Sequence, residues 1–471
     1  MSDARSILVE KVQTRFGPKA AVTDPADVEP WLIDWRGRFH GKADAILSPA
    51  STEEVSAIVR LAAEHGVPLV PQGGNTSMVG GATPPADGSA LILSLRRMNR
   101  LRSISAEHGV AVAEAGMILA QLHEQAAAVG RRFPLTLGAR GSCTIGGLIS
   151  TNAGGTQVLR FGTMRALVAG IEAVLPDGSV HSGLSGLKKD NRGYSLDQLL
   201  IGAEGTLGIV TAAALRLVPA VYSRAVAWAG VRDPQTALSL LRDFESKTDR
   251  IEGFELVPAD SLALVLAHIP GTRAPLSSAH PWNVLIEATS DRADLDPVEL
   301  LQSLLAGAID AGLVEDAMVA ASEAQADALW RIRDSISEAE RTEGPSTAHD
   351  ISVAVADMPG FLLHAKAAVE KAFPGSIASA FGHLGDGNLH FHVRAGSRAV
   401  PGWNQSEGHE IERFIDDLVT QAGGSISAEH GIGQMKRGEL ERLAPRGDLA
   451  AQRAIKAALD PQGRMNPGKL V

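Results

Sequence analysis

The chain has 471 residues, of which 45% are hydrophobic and 4% aromatic, and a formal net charge of −10. This length exceeds what a single hydrophobic core normally supports, so we expect two or three globular domains. Acidic residues outnumber basic ones, 54 to 44. This balance argues against a nucleic-acid partner, since binding to a phosphate backbone requires a basic surface.

Cysteine content and hydropathy bear on the compartment. Cys143 is the single cysteine, so an internal disulfide is excluded, which fits a reducing environment. No segment approaches the roughly 20 apolar residues that a membrane-spanning helix requires. Residues 1–11 mix acidic with basic side chains and lack the apolar stretch of a signal peptide. We therefore expect a cytoplasmic enzyme without an integral membrane segment.

The first part of the chain is predicted to be a mixed α/β domain over residues 41–219, preceded by a helical segment over residues 1–40. A capping box at Ser51–Glu54 begins a helix that runs to His65. A second helix is predicted over Leu119–Val129. The predicted strands are Ala45–Leu47, Val67–Val70, Leu91–Leu93, Val110–Glu114, Ile171–Leu175 and Ile209–Leu217. Strands alternating with helices are typical of an α/β domain.

Residues 220–424 are predicted to form a second domain, and residues 425–471 a mostly helical segment. Phe254–Leu256 and Val284–Ala288 are predicted strands. The predicted helices are Gln235–Lys247, Pro297–Gly312 and Glu323–Arg341. This pattern indicates an antiparallel sheet covered by helices.

The 49 glycines cluster in short runs. The runs are Gly73–Gly81, Gly138–Gly155, Gly202–Gly208, Gly382–Gly387 and Gly423–Gly433. Glycine permits close backbone approach, so the clusters suggest loops around a large ligand, although ordinary turns explain any one of them equally well. The loop Pro71–Ser77 follows a predicted strand, and its amides could wrap a pyrophosphate. The chain contains neither a Rossmann Gly-x-Gly-x-x-Gly signature nor a Walker loop.

Three segments carry a specific resemblance to a known family. They are Leu137–Gly147 with its continuation Thr151–Gly155, Asp190–Tyr194, and Ile201–Thr211. Together they resemble the FAD domain of the vanillyl-alcohol-oxidase (PCMH-type) flavoproteins. Within that family the chain is most similar to the D-2-hydroxyglutarate and D-lactate dehydrogenases, from about Asp44 to Lys469.

The resemblance implies an α+β fold: a PCMH-type FAD-binding domain of two α/β subdomains, a substrate domain with a helix-covered antiparallel sheet, and a C-terminal segment that returns to the flavin. Some relatives attach the flavin through a histidine in the first loop, where this chain offers Asn75, so FAD is expected to be non-covalent. Cys143 lies in the flavin motif, where a buried filler is favoured over redox chemistry. The residues expected to line FAD are Gly73, Gly74, Asn75, Thr76, Ser77, Gly138, Ser142, Thr144, Gly147, Thr151, Asn152, Gly154, Gly155, Glu204, Gly208, Ile209 and Asn466.

A histidine-rich hairpin predicts a metal site. Asp386-Gly387 is typical of a two-residue hairpin turn. Such a turn would place His383 opposite His390, with Cβ atoms about 5 Å apart, which lets both imidazoles bind one metal. Solvated hairpin histidines are the alternative interpretation.

A third ligand has to come from elsewhere, and Ser427–Gly431 offers Glu429 with His430 beside it. An exposed acid at a helix start is the alternative. The resemblance implies that His383, His390 and Glu429 bind zinc, for which manganese is the substitute, and that His430 acts at the reaction centre.

The predicted reaction is the FAD-dependent oxidation of a D-2-hydroxy acid to the 2-oxo acid, with a D-2-hydroxyglutarate-like substrate as first choice. The metal would lower the pKa of the 2-hydroxyl, His430 would accept its proton, and hydride would pass to flavin N5. Arg333 and Ser337, four apart on a predicted helix, match the family's carboxylate-binding arginine and hydroxyl. A solvated helix face is the alternative for Arg333.

Two positions depart from the resemblance. Ala348 stands where the hydroxyglutarate enzymes carry lysine, and His392 where they carry asparagine. Both would face the substrate, which predicts a weaker preference for D-2-hydroxyglutarate. Three alternatives stay open: a dehydrogenase of D-lactate or another monocarboxylate, a metallohydrolase with vestigial nucleotide loops, and a flavin-binding protein without turnover. The expected partners are the 2-hydroxy acid and an electron acceptor such as electron-transfer flavoprotein or a quinone; a homodimer is one expected state.

Overall fold

The computed structural model describes residues 3–187 and 189–471. The chain divides into two compact units. The first contains the chain up to Gly155, Phe161–Ala220 and Glu429–Val471, and the second contains Thr156–Arg160 and Val221–Ala428.

Most of the elements up to Pro219 are short. Their helices are α1 Ala4–Phe16, α2 Pro25–Val28, α3 Thr52–His65, α4 Leu119–Ala127, α5 Ile145–Ser150, α6 Val158–Phe161, α7 Met164–Leu167 and α8 Leu196–Leu200. Their strands are β1 Ala21–Val22, β2 Ile46–Leu47, β3 Leu69–Gln72, β4 Leu91–Ser94, β5 Leu101–Ser105, β6 Val110–Glu114, β7 Arg131–Arg132, β8 Val168–Val174, β9 Val180–Ser182, β10 Ile209–Arg216 and β11 Val218–Pro219.

Most of the remaining elements are longer. The strands are β12 Ser223–Val231, β13 Ile251–Pro258, β14 Trp282–Ser290, β15 Asp316–Val319, β16 Ser346–Ser352, β17 Ile377–His383 and β18 Asn388–Arg394. The helices are α9 Pro234–Glu245, α10 Ala259–His268, α11 Pro297–Asp310, α12 Glu323–Asp334, α13 Ile336–Arg341, α14 Met358–Ala372, α15 Glu407–Gln421, α16 Arg437–Leu443 and α17 Arg446–Leu459.

Besides the two-stranded pairing of β7 with β11, the described residues of the first unit form two larger sheets. One is four-stranded in the order β1-β2-β4-β3, and β2, β4 and β3 run parallel. The other is five-stranded and antiparallel in the order β5-β6-β10-β8-β9. α3 begins at the predicted cap, where the Ser51 hydroxyl accepts a hydrogen bond from the Glu54 amide, and it ends at Gly66 with φ of 66°.

The N-terminal segment is less helical than predicted. α1 ends at Gly17, which has φ of 86°, and only short helical turns and the strand β1 follow before Leu32. Pro18, Pro25 and Pro30 interrupt this stretch, and proline removes the backbone donor that a continuing helix needs. Met1 and Ser2 lie outside the described residues.

The second unit contains the predicted helix-covered antiparallel sheet. Its seven strands are ordered β15-β12-β14-β13-β17-β18-β16, with antiparallel pairing throughout. Alternate residues of β12 pack into different cores: Ala227 joins one with α9, α11, α14 and α15, and Trp228 joins the other with α10, α12 and α13. A sheet buried on both faces needs apolar residues at successive positions, which explains why β12 and β14 lack a polar alternation.

One of the predicted helices of the second unit is divided into two helices in the structure. The predicted Glu323–Arg341 is divided into α12 and α13, which meet at Ser335. The spacing of four between Arg333 and Ser337 therefore does not by itself place the two side chains on one helical face. Arg333 is buried at the end of α12, whereas Ser337 is partly exposed on α13.

Candidate functional site

The first unit contains a cavity of about 610 Å³, within the range of small-molecule and cofactor sites. Its walls are the loop after β3, the segment around α5, the turn before β10, and the C-terminal loop that carries Glu429 and His430. Every residue predicted to line FAD lines this cavity except Asn152, Gly155 and Asn466. The glycine clusters of the first unit therefore converge on one cavity, although they are distant in sequence.

Gly73 and Gly74 allow the first two glycine loops to touch. A Cβ at Gly74 would lie 1.9 Å from the carbonyl oxygen of Ser142, and a Cβ at Gly73 would lie 2.1 Å from Oγ1 of Thr144. Both distances are far below contact distance. A side chain at Gly74 would have to displace the backbone of the facing loop, and one at Gly73 would have to displace the side chain of Thr144. The absence of side chains at these two glycines therefore lets two loops of the cavity wall pack against each other.

The cavity's chemistry fits a large ligand with polar groups. Oγ1 of Thr144 and Oε1 of Gln72 are buried, and neither has a hydrogen-bond partner among the described residues. Both residues line the cavity, together with apolar side chains such as Leu95, Leu148 and Ile209. Because buried polar atoms are normally paired, these two are suited to a bound ligand, and the apolar walls to a flat aromatic ring system.

The three predicted residues outside the cavity wall have structural contacts. Asn152 Oδ1 accepts a hydrogen bond from the Arg165 amide at 3.0 Å. A Cβ at Gly155 would lie 2.2 Å from the Thr136 carbonyl oxygen. Asn466 Nδ2 donates to the carbonyl oxygens of Gly81 at 3.0 Å and Glu204 at 2.7 Å. These residues shape the cavity from behind its wall.

Glu204 holds the loop that follows His430. Its carboxylate accepts hydrogen bonds from the amides of Ile432 and Gly433, each at 2.7 Å. Burial raises the pKa of Glu204, while the two amides and the charge of Lys469 lower it. Burial also lowers the pKa of Lys469 to about 8, assisted by Arg437 and opposed by Glu204. The carboxylate predicted to line FAD thus also anchors the C-terminal loop.

Cys143 is a buried thiol in the cavity wall. Its side chain packs in the core of the first unit, and burial raises its pKa to about 11. The thiol is therefore protonated near neutral pH and lacks the thiolate that redox reactions of cysteine require. These properties agree with the predicted filler role.

The histidine hairpin of the second unit differs in register from the prediction. His383 pairs with Asn388 and Phe381 pairs with His390, so residues 384–387 form a four-residue connection instead of a two-residue turn. The shift amounts to two residues, and strand side chains alternate with a period of two. His383 and His390 consequently stay on one face, as diagonal neighbours with ring centroids 5.4 Å apart.

A buried carboxylate from β13 joins two of the predicted site residues. Oε1 of Glu255 is 2.7 Å from Nδ1 of His383, and Oε2 accepts from Nε of Arg333 at 2.7 Å. Burial opposes ionisation of Glu255, but Arg333 and His383 outweigh it and lower its pKa to about 2. Nη2 of Arg333 is 3.3 Å from Nε2 of His383. No sequence pattern indicated Glu255, because its role depends on contacts with residues 78 and 128 positions away.

Neighbouring polar groups suit His390 to metal binding. Burial, followed by the charges of Arg333 and His383, holds the pKa of His390 well below its ordinary value, which favours the neutral imidazole that binds metals. Beside it in the sheet, Asn388 donates to Asp350 Oδ1 at 2.9 Å. Asn388 Oδ1 is buried without a partner within the described part of the chain.

The predicted ligands are divided between the units. His383 and His390 belong to the second unit and Glu429 to the first. Residues 3–187 and 189–471 contain no group of three or more His, Cys, Asp or Glu side chains arranged to hold a metal ion. The predicted donors in the second unit are two imidazoles. One of them, His383, is bonded through Nδ1 to a carboxylate, which is the usual support of a metal-binding histidine.

His392 is part of a buried polar network. Its Nδ1 is hydrogen-bonded to Oε2 of Glu340, and Glu340 Oε1 accepts from the Ser261 hydroxyl at 3.0 Å. Ser261 Oγ lies 2.9 Å from Oγ of Ser379. In the sheet His392 is directly opposite Ala348, so the two positions that depart from the family pattern are cross-strand neighbours.

Among the helices of the described residues, none is both long enough and apolar enough to span a bilayer.

Comparisons with known proteins agree across sequence and fold. A model of an FAD binding domain matches residues 43–183, and a model of the C-terminal domain of FAD linked oxidases matches residues 222–470. The chain is 36% identical over 459 residues to a mitochondrial D-2-hydroxyglutarate dehydrogenase of Arabidopsis thaliana, covering 97% of this chain and 80% of that protein. It is 37% identical over 471 residues to a D-2-hydroxyglutarate dehydrogenase of Xanthomonas citri pv. viticola, covering 100% and 97%. Among solved structures, substrate-bound p-cresol methylhydroxylase has a similar fold, with a TM-score of 0.72, 15% identity, and coverage of 99% of this chain and 96% of that one.

Proposed function

Because the chain belongs to the family of FAD-linked oxidases that includes the D-2-hydroxyglutarate dehydrogenases, we propose that it oxidises a D-2-hydroxy acid to the 2-oxo acid. D-2-hydroxyglutarate is the first candidate substrate. The observation that carries the proposal is the buried Arg333–Glu255–His383 cluster. It combines a carboxylate-binding guanidinium with an imidazole in a chain whose other unit contains a glycine-lined cavity of cofactor size.

FAD would be held by the cavity of the first unit. When bound, it supplies the two-electron acceptor that takes the α-hydrogen of the substrate as hydride at N5. The unpaired oxygen atoms of Thr144 and Gln72 support polar contacts to the cofactor. Asn75 occupies the loop position at which some relatives carry a linking histidine, and its Nδ2 donates to the Ile33 carbonyl at 2.8 Å. Acid precipitation should accordingly release the flavin intact.

We propose His383 and His390 as ligands of a divalent metal, zinc or manganese. When bound, the metal supplies a Lewis acid that lowers the pKa of the substrate's 2-hydroxyl. Glu255 supports this role of His383, because its contact with Nδ1 fixes the orientation of the ring. Glu429 remains the candidate third ligand on sequence grounds.

Two further side chains have proposed roles toward the substrate. Arg333 would bind the 1-carboxylate, because Glu255 engages only its Nε and a guanidinium carries four further N–H donors. His430 would accept the proton of the 2-hydroxyl, since an imidazole titrates near working pH. His430 lines the cavity of the first unit, and the Glu204 anchor holds the residues that follow it.

Anaerobic flavin reduction tests the proposal. The yellow holoenzyme is mixed with D-2-hydroxyglutarate, L-2-hydroxyglutarate or D-lactate, and the loss of flavin absorbance is followed by stopped flow. We expect bleaching by D isomers only, and loss of bleaching in His383→Ala with an unchanged flavin spectrum. A preference for D-lactate would support the monocarboxylate alternative that Ala348 suggests. A protein that binds FAD but is bleached by no 2-hydroxy acid would contradict the proposal.

A further inference from the structure

Arg394 is a buried cation on the face of the second unit's sheet that carries His390 and His392. It ends β18, whose alternate residues His390, His392 and Arg394 share one face. Only 7% of Arg394 is exposed. Arginine is rarely buried to this extent without an ionic partner, so an anion is expected to balance its charge.

The carboxylates around Arg394 engage it weakly. Nη1 of its guanidinium lies 3.7 Å from Oε2 of Glu343, beyond hydrogen-bond distance. The other oxygen of Glu343 is hydrogen-bonded to His268 at 2.7 Å. Glu340, whose pKa Arg394 helps to lower, directs its carboxylate oxygens to His392 and Ser261. Each neighbouring carboxylate thus has a closer partner than Arg394.

One donor of Arg394 has no acceptor at all within residues 3–187 and 189–471: its Nε is buried and makes no hydrogen bond. Leaving a buried donor of a charged group unpaired destabilises a protein. Such a donor is therefore suited to an acceptor that binds from outside. A carboxylate matches it well, because two carboxylate oxygens can engage the guanidinium fork.

The sheet register places Arg394 near Ala348, on the same face of the sheet. Arg394 pairs with Ser346 on β16, and the next residues on the same face, His392 and Ala348, pair with each other. Ala348 is exposed and has no side chain beyond Cβ, so it leaves room on this face.

We propose that Arg394 is a specificity-determining residue that binds a second carboxylate, at the end of the substrate remote from the 2-hydroxyl. This inference rests on the proposed function and narrows its substrate to the 2-hydroxy dicarboxylates. It differs from the sequence-based prediction drawn from Ala348, because the cation absent from β16 is supplied by β18, two residue pairs further along and on the same face.

Two substrates that differ only at the remote end test the proposal. D-2-hydroxyglutarate has a second carboxylate where D-2-hydroxypentanoate has a methyl group, and the rest of the two chains is the same. In Arg394→Met we expect kcat/KM for the dicarboxylate to fall by about 30- to 100-fold, as the loss of a charged hydrogen bond implies. D-2-hydroxypentanoate should change by less than threefold. Arg394→Lys should recover part of the lost activity toward the dicarboxylate.

Arg341→Met is the matched control, because Arg341 is exposed at the end of α13, and it should leave both substrates unaffected. Flavin content and melting temperature are measured for each variant. An equal loss for both substrates in a folded Arg394→Met, or no loss for either, overturns the role of Arg394 while leaving the dehydrogenase proposal intact. Wild-type enzyme that is reduced by neither substrate, nor by any other D-2-hydroxy acid, instead overturns the proposed function.

Discussion

Oε2 of Glu204 accepts a hydrogen bond of 2.7 Å from the amide of Gly433, 229 residues further along the chain. Glu204 itself has a φ of 51°, a left-handed conformation that is uncommon for a residue other than glycine, asparagine or aspartate. Gly433 has a φ of 53°, and a Cβ there would lie 2.3 Å from the Val79 carbonyl oxygen. Both ends of the contact are conformationally specialised, which ties the loop after His430 to the cavity wall.

Glu204→Gln should impair catalysis more than flavin binding. Glutamine has one acceptor oxygen for the two amides of Ile432 and Gly433, so one buried donor loses its partner, which costs about 1–3 kcal/mol. We expect kcat to fall at least tenfold while the FAD content stays within twofold of wild type. Steady-state kinetics and the ratio of flavin to protein absorbance measure the two quantities. Glu124→Gln, at an exposed position on α4, is the control, and a variant that loses FAD and activity together would refute the anchoring role.

Gly74→Ala should yield protein that binds little FAD. The added Cβ would lie 1.9 Å from the Ser142 carbonyl oxygen and 2.8 Å from its carbon, so the two loops must separate. We expect flavin occupancy below a tenth of the wild-type value after incubation with excess FAD, measured by absorbance after gel filtration. Gly438→Ala is the control, because a Cβ there meets no atom within 4 Å. Full occupancy in Gly74→Ala would show that the contact between the loops is dispensable.

Cys143 should react slowly with iodoacetamide in the folded protein. Its pKa, raised by burial from 9.0 to about 11, lowers the thiolate fraction at pH 8 about a hundredfold. Because only the thiolate reacts, the labelling rate should still increase about tenfold per pH unit between pH 8 and 10. In guanidinium chloride the increase should level off near pH 9. Mass spectrometry of timed samples compares the two profiles, and identical profiles would exclude the raised pKa.

Glu255→Gln should weaken metal binding. An amide side chain cannot neutralise Arg333 or hold His383 with an ionic hydrogen bond, and loss of such a supporting carboxylate typically lowers metal affinity about 10- to 100-fold. The affinity is measured by zinc titration against a competing chelator, which does not depend on turnover. Glu323→Gln, which removes an exposed partner of Arg224, should bind zinc as wild type does. Equal affinities for wild type and Glu255→Gln would separate Glu255 from the metal site.

The hairpin shows how far local patterns reach. Alternation along β18 placed His390 and His392 on one face whatever the turn, and a register shift of two residues preserved the face of His383. The type of turn was wrong, because residues 384–387 form the connection where Asp386-Gly387 alone was expected. The face on which a strand side chain lies depends on whether its position is odd or even, and this can be read from the sequence. The register of β17 and β18 also depends on the neighbouring strands β13 and β16, with which they pair.

By itself the sequence determined the family through its glycine motifs, and that resemblance implied the FAD domain of two α/β subdomains. The helix-covered antiparallel sheet was predicted from the pattern of strands and helices, and hydrophobic periodicity is a property of short segments. Only the tertiary structure shows that Glu204 also anchors the loop after His430, that Glu255 joins Arg333 to His383, and that Arg394 is buried with an Nε that has no partner among the described residues. No local pattern distinguishes Glu255 or Arg394 from the many other charged residues in the chain, and the motif that indicated Glu204 did not indicate these anchoring contacts. The significance of the three residues lies in burial and in partners, present or missing, that the chain brings together over long sequence separations, and these depend on how the strands and loops are arranged in space.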